Sequence, residues 1–120
     1  MTGKNSSRLN LVVIRSTDID RLRDFYSALL GVEFVPEKHG DGPRHYSCQL
    51  GDVVLEIYPA RDNVPSQESV GFLVPNLEEA LKRVELTHIH KAPMQTDYGR
   101  LAVIRDPDGR MVHLEERTSQ

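Results

Sequence analysis

The chain has 120 residues, of which 38% are hydrophobic and 28% charged, with a net charge of −3; this is the composition of a soluble globular protein large enough for one compact domain. The charge is too small to imply a charged polymer as partner, and no basic stripe with interleaved aromatics points to nucleic acid. No apolar run is long enough to cross a bilayer, the polar start MTGKNSS shows no signal-peptide pattern, and the single cysteine, Cys48, cannot form a disulfide within the chain, so a cytoplasmic protein is expected.

Residues 1–7 and 118–120 read as loose tails around a single domain over 8–117. The run LNLVVIR (Leu9–Arg15) is apolar and β-rich and predicts a strand. A helix follows in STDIDRLRDFYSALLG. Thr17 or Asp18 can cap it, because a short side-chain oxygen accepts from an orphan N–H. Ile19, Leu22, Tyr26 and Leu29 form its apolar stripe, and Gly31 stands where a left-handed cap would end it. Three strands are expected next, Val32–Lys38, Arg44–Leu50 and Asp52–Tyr58, separated by the turns HGDGP and Gly51-Asp52. Pro36 makes the first of them short or an edge strand.

The polar stretch 59–68 reads as a linker between half-modules 9–58 and 69–117. The pattern then restarts. Ser69–Val74 predicts a strand, and PNLEEALKRVEL a helix with Asn76 as cap and Glu79 at capping-box spacing. HIHKAPM, RLAVIRD and RMVHLEE give three more strands. Asp18 and Asn76 are 58 positions apart, as are Ile19 and Leu77, and Gly51 and Gly109. The fold expected is therefore α+β: a βαβββ module written twice, its two copies forming a curved mixed sheet around a cavity with the helices outside.

DIDRLRDFYSALLGVEF, GDVVLEIY, VPNLEEALKRV and above all YGRLAVIRDPDGRMVHLE resemble the vicinal oxygen chelate superfamily, across roughly residues 9–117. That group includes glyoxalases, bleomycin-resistance proteins and extradiol dioxygenases. The resemblance implies a homodimer whose cavities are built partly at the subunit interface. In metal-dependent members of that group, one side chain from each of four strands holds the metal. Those positions fall here at Leu11, Glu56, Ser69 and His113. Glu56 matches, His113 stands where a Glu is usual, and Leu11 and Ser69 do not match.

Strand alternation alone gives a compatible picture. Val53, Leu55 and Ile57 should face the helices, and Val54, Glu56 and Tyr58 the cavity; Val112 and Leu114 face inward, and Met111, His113 and Glu115 the cavity. Glu56 and His113 are thus the candidate catalytic pair, expected on one concave surface, with His113 hydrogen-bonded to Glu56 or to a ligand. As metal ligands they would need a third donor, from His45 or a partner subunit. Tyr58 joins the cavity by parity. Tyr98 and Arg100 sit where the family often lines its substrate, and with His45, Leu11 and Ser69 complete the expected ligand contacts. His88 and His90 are expected to be solvent-exposed on an edge strand, His39 exposed in its turn, and Cys48 buried.

Two functions are compatible with these residues. In one, the chain binds or sequesters a small molecule with no metal. In the other, a divalent metal on Glu56 and His113 makes it a glyoxalase-like lyase or dioxygenase acting on a vicinal-oxygen substrate.

Overall fold

A computed structural model describes residues 6–85 and 88–117. The expected tails thus lie outside the described residues except for Ser6 and Ser7. Ten elements follow in chain order. The first half holds β1 (Leu11–Ser16), α1 (Ile19–Leu30), β2 (Val35–Glu37), β3 (His45–Leu50) and β4 (Val53–Pro59). The second holds β5 (Val70–Leu73), α2 (Leu77–Lys82), β6 (Ile89–Gln95), β7 (Gly99–Arg105) and β8 (Met111–Arg117). Sheet one has the order β1-β4-β3-β2 and sheet two β5-β8-β7-β6. In each the first strand, β1 or β5, runs parallel to its neighbour and the other pairs are antiparallel. This is the duplicated βαβββ architecture, with the two sheets left unclosed.

The helices start where short side chains satisfy free amides. Asp18 Oδ1 accepts from Arg21 N at 3.1 Å, a cap that typically contributes about 1 kcal/mol. Gly31 ends α1 at φ 68°, donating to Ser27 O, a conformation that favours glycine. Leu22, Tyr26 and Leu29 are fully buried against β1, β3 and β4. In α2, Asn76 Oδ1 accepts from Glu79 N at 2.9 Å. The Glu79 carboxylate turns to Lys82 Nζ at 3.5 Å, and a different free amide, Leu77 N–H, donates to Glu116 Oε1 of β8 at 2.6 Å. This helix stops at Lys82, four residues short of the expected end; its last turn tightens into bonds from Arg83 and Val84 to Ala80 and Leu81, and Leu86 lies outside the described residues.

A buried polar clasp joins the halves. The Asp106–Arg110 turn folds on itself through Gly109 N to Asp106 O (2.9 Å) and Asp106 N to Arg110 O (3.0 Å). Asp106 Oδ1 accepts from Asp108 N and Arg110 N, and Oδ2 from Tyr26 Oη (2.7 Å) and Arg110 Nη1 (2.6 Å). Arg110 Nη2 continues to Arg15 O (2.9 Å) and Ser66 O (2.6 Å). Both charged residues are almost fully buried, so each must be paired to remain there. Tyr26 also packs on Phe72 across the junction, and Phe25 on His88. The halves therefore meet through their helix faces.

The opposite face of each sheet is left open. The radius of gyration is 15.4 Å, against roughly 13–14 Å for a compact chain of this length. Leu11, Val35, Leu73 and Met94 are exposed on or beside these faces.

Candidate functional site

Strand alternation sets which side chains reach the open face of sheet one. Leu55 and Ile57 of β4 and Ile14 of β1 are buried on the helix side. Their neighbours point the other way. Register then aligns them in rows, because paired residues share a face. One row is Val13, Glu56, Ser47 and Val35. The next is Arg15, Tyr58, His45 and Glu37: β1 pairs Arg15 with Tyr58, and β2 pairs Glu37 with His45. The Arg15 guanidinium lies 5.2 Å from the Tyr58 ring centroid. Tyr58 stacks on His45 at 4.0 Å and 9°. His45 Nε2 lies 3.3 Å from Glu37 Oε1 and 4.0 Å from Glu56 Oε2.

His45 decides the chemistry of this row. Its side chain is 1% exposed. Nδ1 lies 3.1 Å from Pro43 O, and since a carbonyl only accepts, Nδ1 carries a hydrogen. Nε2 is therefore the nitrogen turned toward Glu37 and Glu56. Among the described residues it has no hydrogen-bond partner, because neither carboxylate meets it in bonding geometry. A buried polar atom without a partner calls for an explanation. Beside it stands His39, whose Nε2 is 3.8 Å from Glu37 Oε1 and whose ring is 5.2 Å from that of His45.

The expected residues divide in two. Glu56, Tyr58 and His45 come together on sheet one. His113 lies at the matching position of sheet two, opposite Gly71 and Val103, and its side chain is exposed. Within one chain the side chain facing Glu56 is His45, with Nε2 4.0 Å from Oε2, not His113 as the strand pattern led us to expect. The physical reason is the clasp: joining the halves by their helix faces leaves the two open faces apart. Leu11 shares the face of Glu56 but is exposed, as is Ser69. Tyr98 is 76% exposed in a turn closed by Thr96 and Gly99. Arg100 is ion-paired to Glu78 of α2. His90 is exposed and His88 half-buried against Phe25. Cys48 is buried, and burial pushes its thiol up, which keeps the reactive thiolate scarce.

The four strand positions implied for a family metal do not fit one. Leu11 offers no lone pair, Glu56 faces His45, and His113 lies on another sheet. A cavity of about 610 Å³ lies elsewhere too. It is lined by Leu9, Val12, Leu50, Val70 and Leu73 among others, aliphatic walls between the helix side of sheet one and β5. Titratable side chains converge in the polar row, where His45 Nε2 lies within 4.0 Å of carboxylate oxygens of both Glu37 and Glu56.

Arg15, Glu37 and His39 were not expected as site residues. Pairing Val32–Lys38 against Arg44–Leu50 across the HGDGP turn would have set Glu37 opposite His45, so the signal was register and not composition.

Comparison with known proteins agrees with this architecture. The model of the Glyoxalase/Bleomycin resistance protein/Dioxygenase superfamily matches residues 8–114. Solved structures with a similar fold include TnmS3, an antibiotic binding protein from Streptomyces sp. CB03234, at 20% identity and TM-score 0.73, covering 93% of this chain and 97% of that one. Oxidase ChaP-H2 is similar at 20% identity and TM-score 0.77, covering 95% and 96%. Lactoylglutathione lyase from Agrobacterium tumefaciens is similar at 20% identity and TM-score 0.66, covering 93% and 95%. No curated protein sequence matches the chain. At such identities the structures establish the fold alone, while the family model spans most of the chain: the protein belongs to the glyoxalase/bleomycin resistance protein/dioxygenase superfamily.

Proposed function

We propose that this protein binds and sequesters a small organic molecule on the open face of sheet one, without a metal at the four family positions. The observation that carries this reading is the row Arg15–Tyr58–His45–Glu37, with Glu56 beside it. It combines aromatic surface, a cation and two carboxylates on a curved sheet, the mixture a small-molecule site uses for packing and orientation. Leu11 and Ser69, standing where ligands would be needed, support binding over metal chemistry. The antibiotic-binding function of TnmS3 supports the same choice.

The working unit is a homodimer in this reading. Exposed Leu11 and Leu73 on the outer strands, and two open faces in one chain, support a second copy laying its sheet two over sheet one. His113, Tyr98 and Arg100 would then contact the ligand from the facing sheet. A buried lone cysteine supports a reducing, cytoplasmic setting, and no helix among the described residues is long and apolar enough to cross a membrane.

Thermal-shift screening of planar, polar organic compounds tests the reading on EDTA-treated protein, followed by calorimetry on any hit. The expected result is a ligand whose affinity falls at least tenfold in Tyr58→Ala and Glu56→Gln. Turnover of a thiol adduct of a 2-oxoaldehyde that requires added metal and is lost in His113→Ala would replace this reading with the metal-dependent lyase.

A further inference from the structure

We infer that the hairpin end of β2 and β3 is a binding site for a divalent transition metal, with zinc its best match, held by His45 Nε2, a Glu37 carboxylate oxygen and His39 Nε2. This site uses none of Leu11, Ser69 or His113; it shares His45 and Glu37 with the row that carries the ligand-binding reading, and metal uptake tests it without any organic ligand.

Geometry carries the inference. The three donor atoms all lie within 4.8 Å of one another. Glu37 and His45 face each other across the β2–β3 ladder, and His39 follows Glu37 by two residues. Ligands held about 2.0–2.1 Å from a tetrahedral zinc stand roughly 3.4 Å apart; His45 Nε2 and Glu37 Oε1 are 3.3 Å apart. The 3.8 Å from His39 Nε2 to Glu37 Oε1 closes with a small rotation of His39, whose side chain is mostly exposed.

The second observation is the partnerless Nε2 of His45, on a side chain that is almost wholly buried. Its Nδ1–H donates to the Pro43 carbonyl. Metal-bound histidines are oriented by such a bond from the other ring nitrogen, which leaves Nε2 to bind the ion. The stack on Tyr58 fixes the ring plane. Without a cation, one imidazole nitrogen and two carboxylates converge with no hydrogen bond among them; a divalent ion answers all three.

Donor chemistry selects the ion class. Two imidazoles and one carboxylate suit zinc, cobalt, nickel or ferrous iron, whereas calcium and magnesium take oxygen ligands. Three protein donors leave one position open. Glu56 Oε2, 4.0 Å from His45 Nε2, borders that position on the open face of the sheet.

The test uses the full chain, stripped with EDTA and titrated with Zn2+ and Co2+. Wild type should bind one equivalent per chain, and Co2+ should give the strong visible absorption of a four-coordinate site. Zn2+ should raise the Tm of wild type. His39→Gln changes only an exposed side chain, so it should fold normally, bind Zn2+ at least tenfold more weakly and lose the Tm increase. His45→Gln should lose more, and His113→Gln nothing. The inference is overturned if wild type takes up no stoichiometric Zn2+ or Co2+, if His39→Gln and His45→Gln bind as wild type does, or if His113→Gln abolishes binding.

Discussion

The clasp at the junction and the row on sheet one are built from the same kinds of residue, yet they are finished differently. In the clasp, Asp106, Arg110 and Tyr26 bond to one another, and Arg110 also takes backbone carbonyls of Arg15 and Ser66. In the row, His45 is equally buried but leaves Nε2 unbonded between two carboxylates. Arg15 belongs to both: its carbonyl is in the clasp and its guanidinium over Tyr58. A polar network whose buried charges are hydrogen-bonded, as Asp106 and Arg110 are although Asp108 Oδ2 beside them is not, fixes a structure, because any loss strands a buried charge. An unsaturated one is open to something that arrives. The first describes the joint of this molecule and the second its candidate site.

The largest way to break the comparison is at the clasp. Arg110→Met leaves the Asp106 carboxylate buried and stripped of its cation; a cost of about 3–5 kcal/mol is expected, read by urea unfolding. His45→Gln, in the row, should cost about 1 kcal/mol, for one carbonyl bond and a ring stack. Equal losses would erase the distinction.

Tyr26→Phe is next, at about 1–2 kcal/mol, and it carries a pH signature. Burial, then the Asp106 charge, pushes the Tyr26 hydroxyl well above its ordinary value. A group whose folded value is raised contributes stability that is intact below its unfolded value and lost as pH climbs beyond it. Wild-type stability should therefore decline as pH rises above about 10, and Tyr26→Phe should lose this component of the decline. A wild type and variant with parallel alkaline profiles would contradict the clasp geometry.

The smallest effect is expected at Tyr98, far from both networks. Tyr98→Ala should shift stability by less than about 0.5 kcal/mol in thermal unfolding, while lowering affinity for any ligand that a facing sheet covers. A larger loss of stability would mean that this exposed turn belongs to the framework.

Much of this was legible in the sequence. Caps at Asp18 and Asn76 and the left-handed Gly31 depend on short-range chemistry, so spacing alone located the helices. Alternation correctly assigned Leu55, Ile57, Val112 and Leu114 to the core, because a strand has only two faces. The short β2 followed from Pro36. What was not legible depends on register and on how the halves meet. Glu37 reaches His45 only once β2 is paired to β3 at a defined offset. His113 and Glu56 separate because Tyr26, Asp106 and Arg110 lock the halves by their helix sides, a contact made across 80 residues. The stretch YGRLAVIRDPDGRMVHLE carries the family resemblance in sequence, but the role of its Asp106–Arg110 turn as the clasp depends on residues distant in the chain.

The central claim, that the row on sheet one is kept for binding and not for holding the fold, meets its most direct test in the unfolding free energy of Glu37→Gln, measured with EDTA present. This change removes a carboxylate facing His45 while keeping side-chain size. The account predicts a stability within about 0.5 kcal/mol of wild type, or above it. A loss approaching that of Arg110→Met would show that the row is a second clasp and would contradict the assignment of the site.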